Sequence, residues 1–565
     1  MLHPRKVTGD LLWGRRSYAA SVLSAVEVTC DLGGQVVLGG VSLAVGSRSR
    51  VGLVGPNGVG KTTFLRLLAG LDRPDGGRVE RAPDSLTVGY LAQEAEPQGR
   101  EVLRAYLGRR TGVAEAEAEL ERATAALSAD VGAIEAHGEA LERFLALGGD
   151  DLRTRIGTVL PEVGLAPEKL EVAVADLSGG QQARAALAAV LMSRFDVLLL
   201  DEPTNDLDFQ GLQLLERFCS SLPGGLVVIS HDRAFLDRTV TRVLEIDEHS
   251  RCSVEFAGGW SDWQEARELA RNQAGEAYGE YQASRTTLQA RVRTQRDWAV
   301  KGVTKSRKNP KDKDKAQRKF SEDRTEKLAG KVKISERALE RLERDRVDKP
   351  FEPWRLELSF AGARRSGDDV ARLDGAVVRR GDFRLGPVDL RLTWQDRLAV
   401  VGLNGGGKST LLAALLGEVP LDSGARHLGP GVVVGTMDQG RRTFAGPEPL
   451  LPVFSAETGL QGAEARTLLA KFGLGASHVG RPGAALSPGE RSRAVLAALM
   501  ARGVNLLVLD EPTNHLDVPA IEQLEQALEA FDATLVLVSH DRRLLETIRL
   551  TRTVRVEGGR VTEAA

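Results

Sequence analysis

The sequence contains few cysteines and no long hydrophobic run. Its three cysteines, Cys30, Cys219 and Cys252, are far apart and form no Cys-x-x-Cys pair. This excludes a disulfide-stapled fold and a cysteine-ligated zinc or iron–sulfur module. No apolar stretch approaches the ~18 residues that a membrane-spanning helix needs. Together these absences predict a cytoplasmic protein without membrane insertion.

The sequence also lacks a strong net charge. The 565 residues carry 76 Lys and Arg against 78 Asp and Glu, a formal charge of −2, so the molecule as a whole is not a general polyanion binder. The 42% hydrophobic and 27% charged content is typical of a folded globular protein. At this length we expect several domains.

The chain contains the same ordered set of four motifs twice. The first two are a glycine-rich loop with lysine, at 55–62 and 402–409, and a Leu-Ser motif, at 177–181 and 486–490. The other two are an Asp-Glu-Pro-Thr-Asn segment, at 201–205 and 510–514, and a Ser-His-Asp-Arg segment, at 230–233 and 539–542. The two copies are offset by 347 positions at the lysine but by 309 from the Leu-Ser motif onward. The first copy therefore contains an insertion between Gln93 and Ser178.

The insertion has the composition of two helices. Residues 114–127 are rich in Ala, Glu and Leu, and a second helical stretch runs near 133–147. We predict a helical pair that projects from the first copy. The alternative is a surface elaboration that packs only on its own domain.

The segment between the copies has a different composition. Eleven of the 16 lysines fall within 301–349, and residues 291–320 carry 12 Lys and Arg against 3 Asp and Glu. Two helical patterns flank this basic stretch, one formed by Ala277, Tyr281, Leu288 and Val292, the other a heptad-like seam of Leu328, Val332, Ser335, Leu339 and Leu342. They predict an antiparallel helical hairpin with a basic tip at 301–320 that contacts RNA phosphates. The alternative is a solvated, charged linker.

Each glycine-rich loop follows an apolar stretch and precedes a helical one. This strand–loop–helix context is what makes the pattern GxxxxGK[ST] a phosphate-binding loop. Glycines let backbone N–H groups surround phosphate oxygens at a helix N-terminus. We expect Lys61 and Lys408 to contact the β- and γ-phosphates, and Thr62 and Ser409 to ligate Mg²⁺.

Paired acids follow two buried-strand patterns further along the chain. Asp201 and Asp510 close these strands and suit a metal ion. The next residues, Glu202 and Glu511, are candidates for polarising the attacking water. Two histidines, His231 and His540, complete the predicted catalytic set. We expect them to contact the γ-phosphate and this water.

The Leu-Ser-Gly-Gly-Gln sequence at 177–181, with the other motifs, resembles the ATP-binding cassette superfamily. The resemblance covers about 24–247 and 371–557. It implies two head-to-tail cassettes, each ATP lying between the Walker A loop of one and the signature motif of the other. The implied ATP contacts are Gly55, Asn57, Gly58, Gly60, Lys61, Thr62, Thr63, Gln93, Ser178, Gly179, Gly180, Gln181, Gly402, Asn404, Gly405, Gly407, Lys408, Ser409, Thr410, Gln439, Ser487, Gly489 and Glu490.

The same resemblance implies a Mg²⁺-dependent ATPase that converts ATP and water to ADP and phosphate at both sites. The implied metal positions are Thr62, Gln93, Asp201, Ser409, Gln439 and Asp510. Two departures from the family pattern stand out. The second signature motif has Pro488 and Glu490 in place of Gly and Gln. The position upstream of each Walker A loop where an aromatic residue usually stacks on adenine holds none. Leu32-Gly33 stands there in the first copy and Arg379-Arg380 in the second, with Phe383 nearby.

Tandem cassettes, an arm insertion in the first only and a charged linker resemble the ABC-F subfamily of translation factors. This implies a protein that binds the ribosomal E site, contacts 23S rRNA and P-site tRNA, and modulates translation, either by protecting the ribosome from antibiotics or by easing stalled elongation. The candidate RNA contacts are Lys301, Lys305, Arg307, Lys308, Lys311, Lys313, Lys315, Arg318 and Lys319. The main alternative is the cytoplasmic ATPase subunit of an exporter. A cassette ATPase of DNA repair fits less well because such proteins usually carry zinc modules or long coiled coils.

The predicted fold class is α/β, with two tandem P-loop NTPase domains of the ATP-binding cassette type. We expect a loose N-terminal tail at 1–20, a first cassette at 21–247 with its arm at about 97–150, a helical-hairpin linker at 248–355 and a second cassette at 356–565. The two cassettes are expected to pair within one chain, as a monomer.

Overall fold

The computed structural model describes residues 22–92, 99–127, 133–248, 250–308, 315–347, 365–381, 383–437, 443–514 and 516–564, without the side chains of 299–329, 488 and 564. Expectations for the tail at 1–20 and for Gln93, Gln439, Lys311 and Lys313 lie outside these residues. The chain divides into two compact units, one of Met1–Trp260 with Arg355–Ala565 and the other of Ser261–Trp354.

The first cassette contains two sheets. An antiparallel sheet in the order β2-β1-β4 is formed by β1 Val22–Leu32, β2 Gln35–Gly46 and β4 Gly76–Ala82. A six-stranded sheet in the order β5-β6-β7-β3-β8-β9 is formed by β3 Arg50–Val54, β5 Val88–Leu91, β6 Val197–Asp201, β7 Gly225–Ile229, β8 Arg242–Ile246 and β9 Ser253–Ala257. Every residue of β6 and β7 is buried, as continuous apolar strands covered on both faces require.

Eight helices of the described residues belong to this cassette: α1 Lys61–Ala69, α2 Leu103–Arg110, α3 Val113–Ala126, α4 Ala133–Ala146, α5 Leu152–Glu162, α6 Gly179–Met192, α7 Phe209–Ser221 and α8 Arg233–Thr239. The predicted helical pair of the arm is confirmed as α3 and α4. The two helices are joined by an ion pair, with Arg143 Nη1 3.3 Å from Glu119 Oε2.

The second cassette repeats this topology. Its antiparallel sheet has the order β11-β10-β13, and its six-stranded sheet the order β14-β15-β16-β12-β17-β18. The strands are β10 Asp369–Arg380, β11 Phe383–Thr393, β12 Arg397–Val401, β13 Ser423–Leu428, β14 Val434–Thr436, β15 Leu506–Asp510, β16 Thr534–Val538, β17 Arg552–Glu557 and β18 Arg560–Ala564. The prediction of two tandem cassettes is therefore confirmed.

The described helices of the second cassette follow the two linker helices, α9 Trp260–Lys308 and α10 Lys315–Arg344. They are α11 Lys408–Leu416, α12 Leu450–Thr458, α13 Gly462–Lys471, α14 Ala476–Val479, α15 Pro488–Ala501, α16 Val518–Glu529 and α17 Arg542–Thr547. Helices α1 and α11 bury their leucines against the strands of their own cassettes. This packing fixes the helix N-termini that follow the two glycine-rich loops.

The second compact unit contains the predicted helical hairpin. It consists of α9, Trp260–Lys308, and α10, Lys315–Arg344. Arg296 Nη2 lies 2.5 Å from Glu336 Oε1, and Arg285 Nε lies 3.6 Å from Glu343 Oε1. Since the partner's number rises as the α9 number falls, the helices run antiparallel, as predicted.

The seam of this hairpin matches the heptad pattern only in part. Ser335 is buried, and Val332, Leu339 and Leu342 are half-buried. On α9, Tyr281 and Val292 are buried, but Ala277 is exposed. The predicted apolar stripe of α9 therefore starts too early in the sequence. Ala277 has the right helical spacing, but its small side chain does not pack against the partner helix.

The linker also begins later than the sequence indicated. The expected boundary was residue 248, but β9 pairs with β8 as far as Ala257 and completes the first cassette's sheet. The second unit starts at Ser261. Among the described residues, no helix is both long enough and apolar enough to cross a bilayer.

Candidate nucleotide-binding sites

The loop between β3 and α1 is shaped by glycine. Gly55, Gly58 and Gly60 have φ of 150°, 78° and 108°, values that side chains other than glycine rarely allow. A Cβ at Gly55 would come within 2.9 Å of the Ile246 carbonyl oxygen. The loop can therefore wrap tightly before α1 begins at Lys61, with Asn57, Thr62 and Thr63 around it.

The second loop has the same backbone. Gly402, Gly405 and Gly407 have φ of 151°, 79° and 110°, each within a few degrees of its counterpart. Lys408 and Ser409 begin α11 and are followed by Thr410. Both loops therefore present a helix N-terminus, where backbone N–H groups favour an anion.

The lysines of the two loops are buried and folded back on the loop. Lys61 Nζ donates to the carbonyl oxygen of Gly55 at 2.7 Å, and Lys408 Nζ donates to that of Gly402 at 2.8 Å. Burial lowers the pKa of both amines, although nearby carboxylates oppose this shift. Each ammonium group lies where it can contact phosphate oxygens.

Glu202 and Glu511 stand at strained positions. Their φ values are 50° and 43°, in the left-handed region that non-glycine residues seldom adopt. Each backbone N–H is tied to the neighbouring strand, that of Glu202 to the Ile229 carbonyl and that of Glu511 to the Val538 carbonyl, both at 2.9 Å. Burial raises the pKa of Glu202 to about 8 and that of Glu511 to about 7.

The two histidines lie beside these glutamates. His231 Nε2 is 3.0 Å from Glu202 Oε1, and His540 Nε2 is 3.5 Å from Glu511 Oε1. His540 Nε2 is also 3.0 Å from Lys408 Nζ. Burial, aided by the adjacent lysine, lowers the pKa of His231 to about 3 and that of His540 to about 4, so both imidazoles are neutral at pH 7.

Oxygen ligands meet at the positions expected for a metal. Ser409 Oγ donates to Asp510 Oδ2 at 2.8 Å. In the first cassette, Asp201 accepts hydrogen bonds from Thr62 and from the Tyr90 hydroxyl, the latter at 3.2 Å. One carboxylate with one hydroxyl in each site fits Mg²⁺, which takes few protein ligands and completes its shell with substrate phosphates and water.

Each signature serine caps the helix that follows it. Ser178 precedes α6, where Gly179 and Gly180 form the first turn, and its Oγ accepts from Gln181 N at 3.4 Å. Ser487 Oγ accepts from Glu490 N at 3.1 Å, and Glu490 Oε2 accepts from Ser487 N at 2.8 Å. The glutamate therefore preserves the capping box that glutamine forms in the first copy.

Pro488 has a local explanation. It opens α15 at the first helical position, before Gly489. Proline is favoured there, because its missing N–H would have no partner within the helix and its φ is already helical. The departure from glycine is therefore compatible with the fold of the second signature motif.

The cassettes contact each other through reciprocal hydrogen bonds. The backbone N–H of Asn57 donates to Asp517 Oδ2 at 3.1 Å, and that of Asn404 donates to Asp208 Oδ2 at 3.0 Å. Arg184 of the first signature helix donates to the Asn404 carbonyl at 2.8 Å. Each Walker A loop therefore touches the opposite cassette, as the head-to-tail arrangement requires.

Both Glu–His pairs line one cavity at this junction. It measures about 600 Å³ and is bounded by Glu202, His231, Glu511 and His540, with Asn404 at its edge. The structure thus brings together the catalytic residues that the sequence predicted for the two sites.

Several residues of the sites were missed by sequence reasoning. Asp208 and Asp517 recur at the common offset of 309, so their repetition was an available signal. Arg184 also recurs at this offset, as Arg493, which donates to Gln523 Oε1 at 3.2 Å. Tyr90 left no such signal, because Thr436 stands at the equivalent position of the second copy.

A family model described as ABC transporter matches residues 38–205 and 385–514. The chain belongs to the ATP-binding cassette family. Its biochemical class is therefore that of an ATP-binding ATPase. Membership of the ABC-F subfamily follows from relatives that align over nearly the whole length of this chain.

Three such relatives define this subfamily assignment. The chain is 35% identical to the tylosin resistance ATP-binding protein TlrC of Streptomyces fradiae, covering 94% of this chain and 96% of that protein. It is 30% identical to ABC transporter F family member 5 of Arabidopsis thaliana, covering 93% and 73%. It is 30% identical to the putative ATP-binding protein YdiF of Bacillus subtilis, covering 96% and 81%.

Solved structures share the fold at low identity. An RNase-L inhibitor superposes with a TM-score of 0.53 at 19% identity, covering 95% of this chain and 89% of that one. The archaeal ribosome recycling factor aABCE1, solved with the ribosomal stalk protein aP1, gives 0.54 at 18% identity with the same coverages. At such identity these likenesses support the tandem-cassette fold alone.

Proposed function

We propose that this ABC-F protein is a Mg²⁺-dependent ATPase with two composite sites, and that ATP binding closes the cassettes on each other. The observation that carries this proposal is the reciprocal contact of each Walker A loop with the opposite cassette, through Asn57–Asp517 and Asn404–Asp208. ATP between the cassettes would strengthen these contacts, because the signature helices α6 and α15 add their own N-termini to the phosphate site.

The residues of each site divide the chemistry between them. Lys61 and the loop N–H groups hold the phosphates of the first site, and Lys408 does so in the second. Thr62 with Asp201, and Ser409 with Asp510, would hold magnesium together with Gln93 and Gln439. When bound, the metal supplies positive charge at the β- and γ-phosphate oxygens.

Hydrolysis then requires a positioned base. Water attacks the γ-phosphorus, the bond to the bridging oxygen of ADP breaks, and the proton of the water passes to Glu202 or Glu511. A carboxylate whose pKa burial raises to about 8 or 7 is a strong enough base for this step near neutral pH. The neutral His231 or His540 holds the γ-phosphate and water in line through its Nε2 side.

We further propose that the protein is cytoplasmic and binds the ribosome through the basic hairpin tip, placing it near 23S rRNA and P-site tRNA. Residues 291–320 concentrate positive charge on a molecule of net charge −2, and the hairpin itself is antiparallel. Contacts of this kind give affinity for RNA phosphates without sequence readout. The 35% identity to a tylosin resistance protein supports antibiotic protection as the role.

The ribosome proposal is tested by co-sedimentation with ATP. The variant Glu202→Gln/Glu511→Gln should bind ATP without hydrolysing it and pellet with ribosomes. In that background, Lys305→Gln/Lys308→Gln should weaken pelleting and reduce its salt dependence. The matched control is Lys331→Gln/Lys333→Gln on the exposed face of α10. A trapped variant that stays in the supernatant contradicts the proposal.

The role in resistance is tested in cells. Minimum inhibitory concentrations across antibiotic classes, with and without the gene, should rise for at least one drug that acts on the ribosome. Deletion of residues 304–319 should abolish that protection while the ATPase remains. An exporter subunit would tolerate this deletion, so drug efflux that survives it would favour the alternative.

A further inference from the structure

One aromatic contact crosses between the cassettes beside a catalytic histidine. Phe209, the first residue of α7, lies edge to face against His540, with ring centroids 5.2 Å apart and planes at 74°. The guanidinium of Arg542 lies 5.9 Å from the centroid of the same ring. A first-cassette phenyl ring thus contacts two residues of the second cassette's Ser-His-Asp-Arg segment.

This contact is present at one site only among the described residues. The position equivalent to Phe209 in the second copy, 309 residues later, is Val518, the first residue of α16. Valine offers no ring to His231. The two sites share their phosphate loops, acids and histidines, so they differ in what packs against the catalytic histidine, His540 or His231.

The position of Phe209 ties it to cassette closure. It follows Asp208, which caps α7 by accepting from Gly211 N at 3.0 Å and also accepts from Asn404 N at 3.0 Å. The residue that contacts the second Walker A loop and the residue that contacts His540 are therefore neighbours on one helix terminus. Bringing α7 to the second cassette sets both contacts together.

We propose that Phe209 is a positioning residue for the second ATP site: on closure it fixes the imidazole of His540 in the orientation that faces Lys408 and the γ-phosphate. The proposal rests on the hydrolytic function proposed above. Ring contact limits rotation of His540 while Nε2 stays 3.0 Å from Lys408 Nζ. The first site lacks this link, so its histidine depends on Glu202 for orientation, at 3.0 Å.

The kinetic test isolates each site in turn. Phe209→Val in the Glu202→Gln background should lower kcat of the remaining second site about two- to tenfold, the range expected from losing one aromatic contact. KM should change less than twofold, because Phe209 does not touch the nucleotide loop. Phe209→Tyr, which keeps the ring, should restore kcat. The matched control is Phe209→Val in the Glu511→Gln background, where the first site should be unaffected.

A spectroscopic test does not depend on turnover. The protein has 8 histidines, and ring-carbon NMR of labelled histidine can resolve that of His540. With a non-hydrolysable ATP analogue bound, Phe209→Val should remove a ring-current shift from the His540 resonance. The resonance of His231 should keep its chemical shift. Val518→Phe should produce a new shift on His231.

The outcomes separate the two proposals. If Glu202→Gln/Glu511→Gln hydrolyses ATP like the parent, the assignment of the catalytic glutamates fails. If that double variant is inactive but Phe209→Val leaves both kcat of the second site and the His540 resonance unchanged, the positioning role of Phe209 is wrong. Equal losses at both sites also contradict it, because they indicate a general structural defect.

Discussion

Arg233 of the first cassette forms a buried, two-pronged ion pair with Glu525 of the second. The symmetry-related pair joins Arg542 to Glu216, with Nη1 2.8 Å from Oε1. Both arginines directly follow the Ser-His-Asp segments, and both glutamates lie on the helices that follow the cross-cassette aspartates. Two charge pairs thus join the cassettes in addition to the hydrogen bonds of the Walker A loops.

These pairs predict a measurable loss of closure. Arg233→Ala leaves Glu525 buried beside the other cassette without its partner, a change that costs about 3–5 kcal/mol in comparable buried pairs. We expect the nucleotide-bound variant to be more open by small-angle scattering or by cross-linking across the halves.

Two further variants make this prediction specific. The exchange Arg233→Glu/Glu525→Arg should recover part of the closure, because it restores the opposite charges. Arg549→Ala removes an exposed pair with Glu529 inside one cassette and should leave closure unchanged. Equal opening in both alanine variants would contradict the prediction.

The raised pKa of the two glutamates predicts a pH-dependent rate. The base acts in its ionised form, so the rate rises with pH through its pKa. Burial raises the pKa of Glu202 to about 8 and that of Glu511 to about 7. We expect kcat/KM of Glu202→Gln and of Glu511→Gln, each with one remaining base, to rise from slightly acidic to slightly alkaline pH. A rate that stays flat over this range would count against the role of these glutamates as bases.

Asp232 predicts a pH-dependent stability. Burial raises its pKa to about 6 while it caps α8 through Phe235 N at 2.9 Å. A carboxyl with a raised pKa in the folded state favours folding at low pH, and that contribution is lost as pH rises from about 4 through 6. Asp232→Asn keeps the cap and removes the charge. It should raise the free energy of unfolding by up to about 3 kcal/mol at pH 7.5 and about half as much at pH 5.

Thermal or urea unfolding across this pH range measures the effect. Asp541→Asn changes the equivalent cap of α17, which accepts from Leu544 N at 3.0 Å. It removes a nearby negative charge that also raises the pKa of Asp232, so it should give a smaller gain with the same pH dependence. A gain for Asp232→Asn that is the same at both pH values would show that its charge is not the cause.

Gly402 predicts the loss of one nucleotide site. Its φ is 151°, and a Cβ there would lie 2.1 Å from the Val556 carbonyl oxygen. Gly402→Ala should therefore distort the second loop and reduce the binding of a labelled, non-hydrolysable ATP analogue from two molecules per chain to one. Gly480→Ala, where no atom lies within 4 Å, should keep two. Retention of two in Gly402→Ala would show that the loop tolerates a side chain.

Local sequence patterns could point to candidate site residues, because phosphate and metal chemistry fixes residue type at fixed spacing. Glycine in the phosphate loops and acids at the strand ends left a repeated signal, and the arm's helices followed from strong helix formers. The Arg233–Glu525 pair could not be predicted, since 292 positions separate its members. The identity of a charged residue does not show which opposite charge it will contact. The predicted burial of Ala277 was wrong for a different reason. Its spacing matched a helical stripe, but spacing alone does not decide whether a side chain is packed.

The cross-cassette bonds of Asp208 and Asp517 bear on how such a chain evolves. In a homodimer of identical half-size subunits, any substitution would alter both pockets at once, and an asymmetric one could never arise. Fusing the halves into a single polypeptide lets selection act on one pocket while its twin stays as it was. Phenylalanine at 209, where the equivalent position 518 holds valine, is a change of this kind.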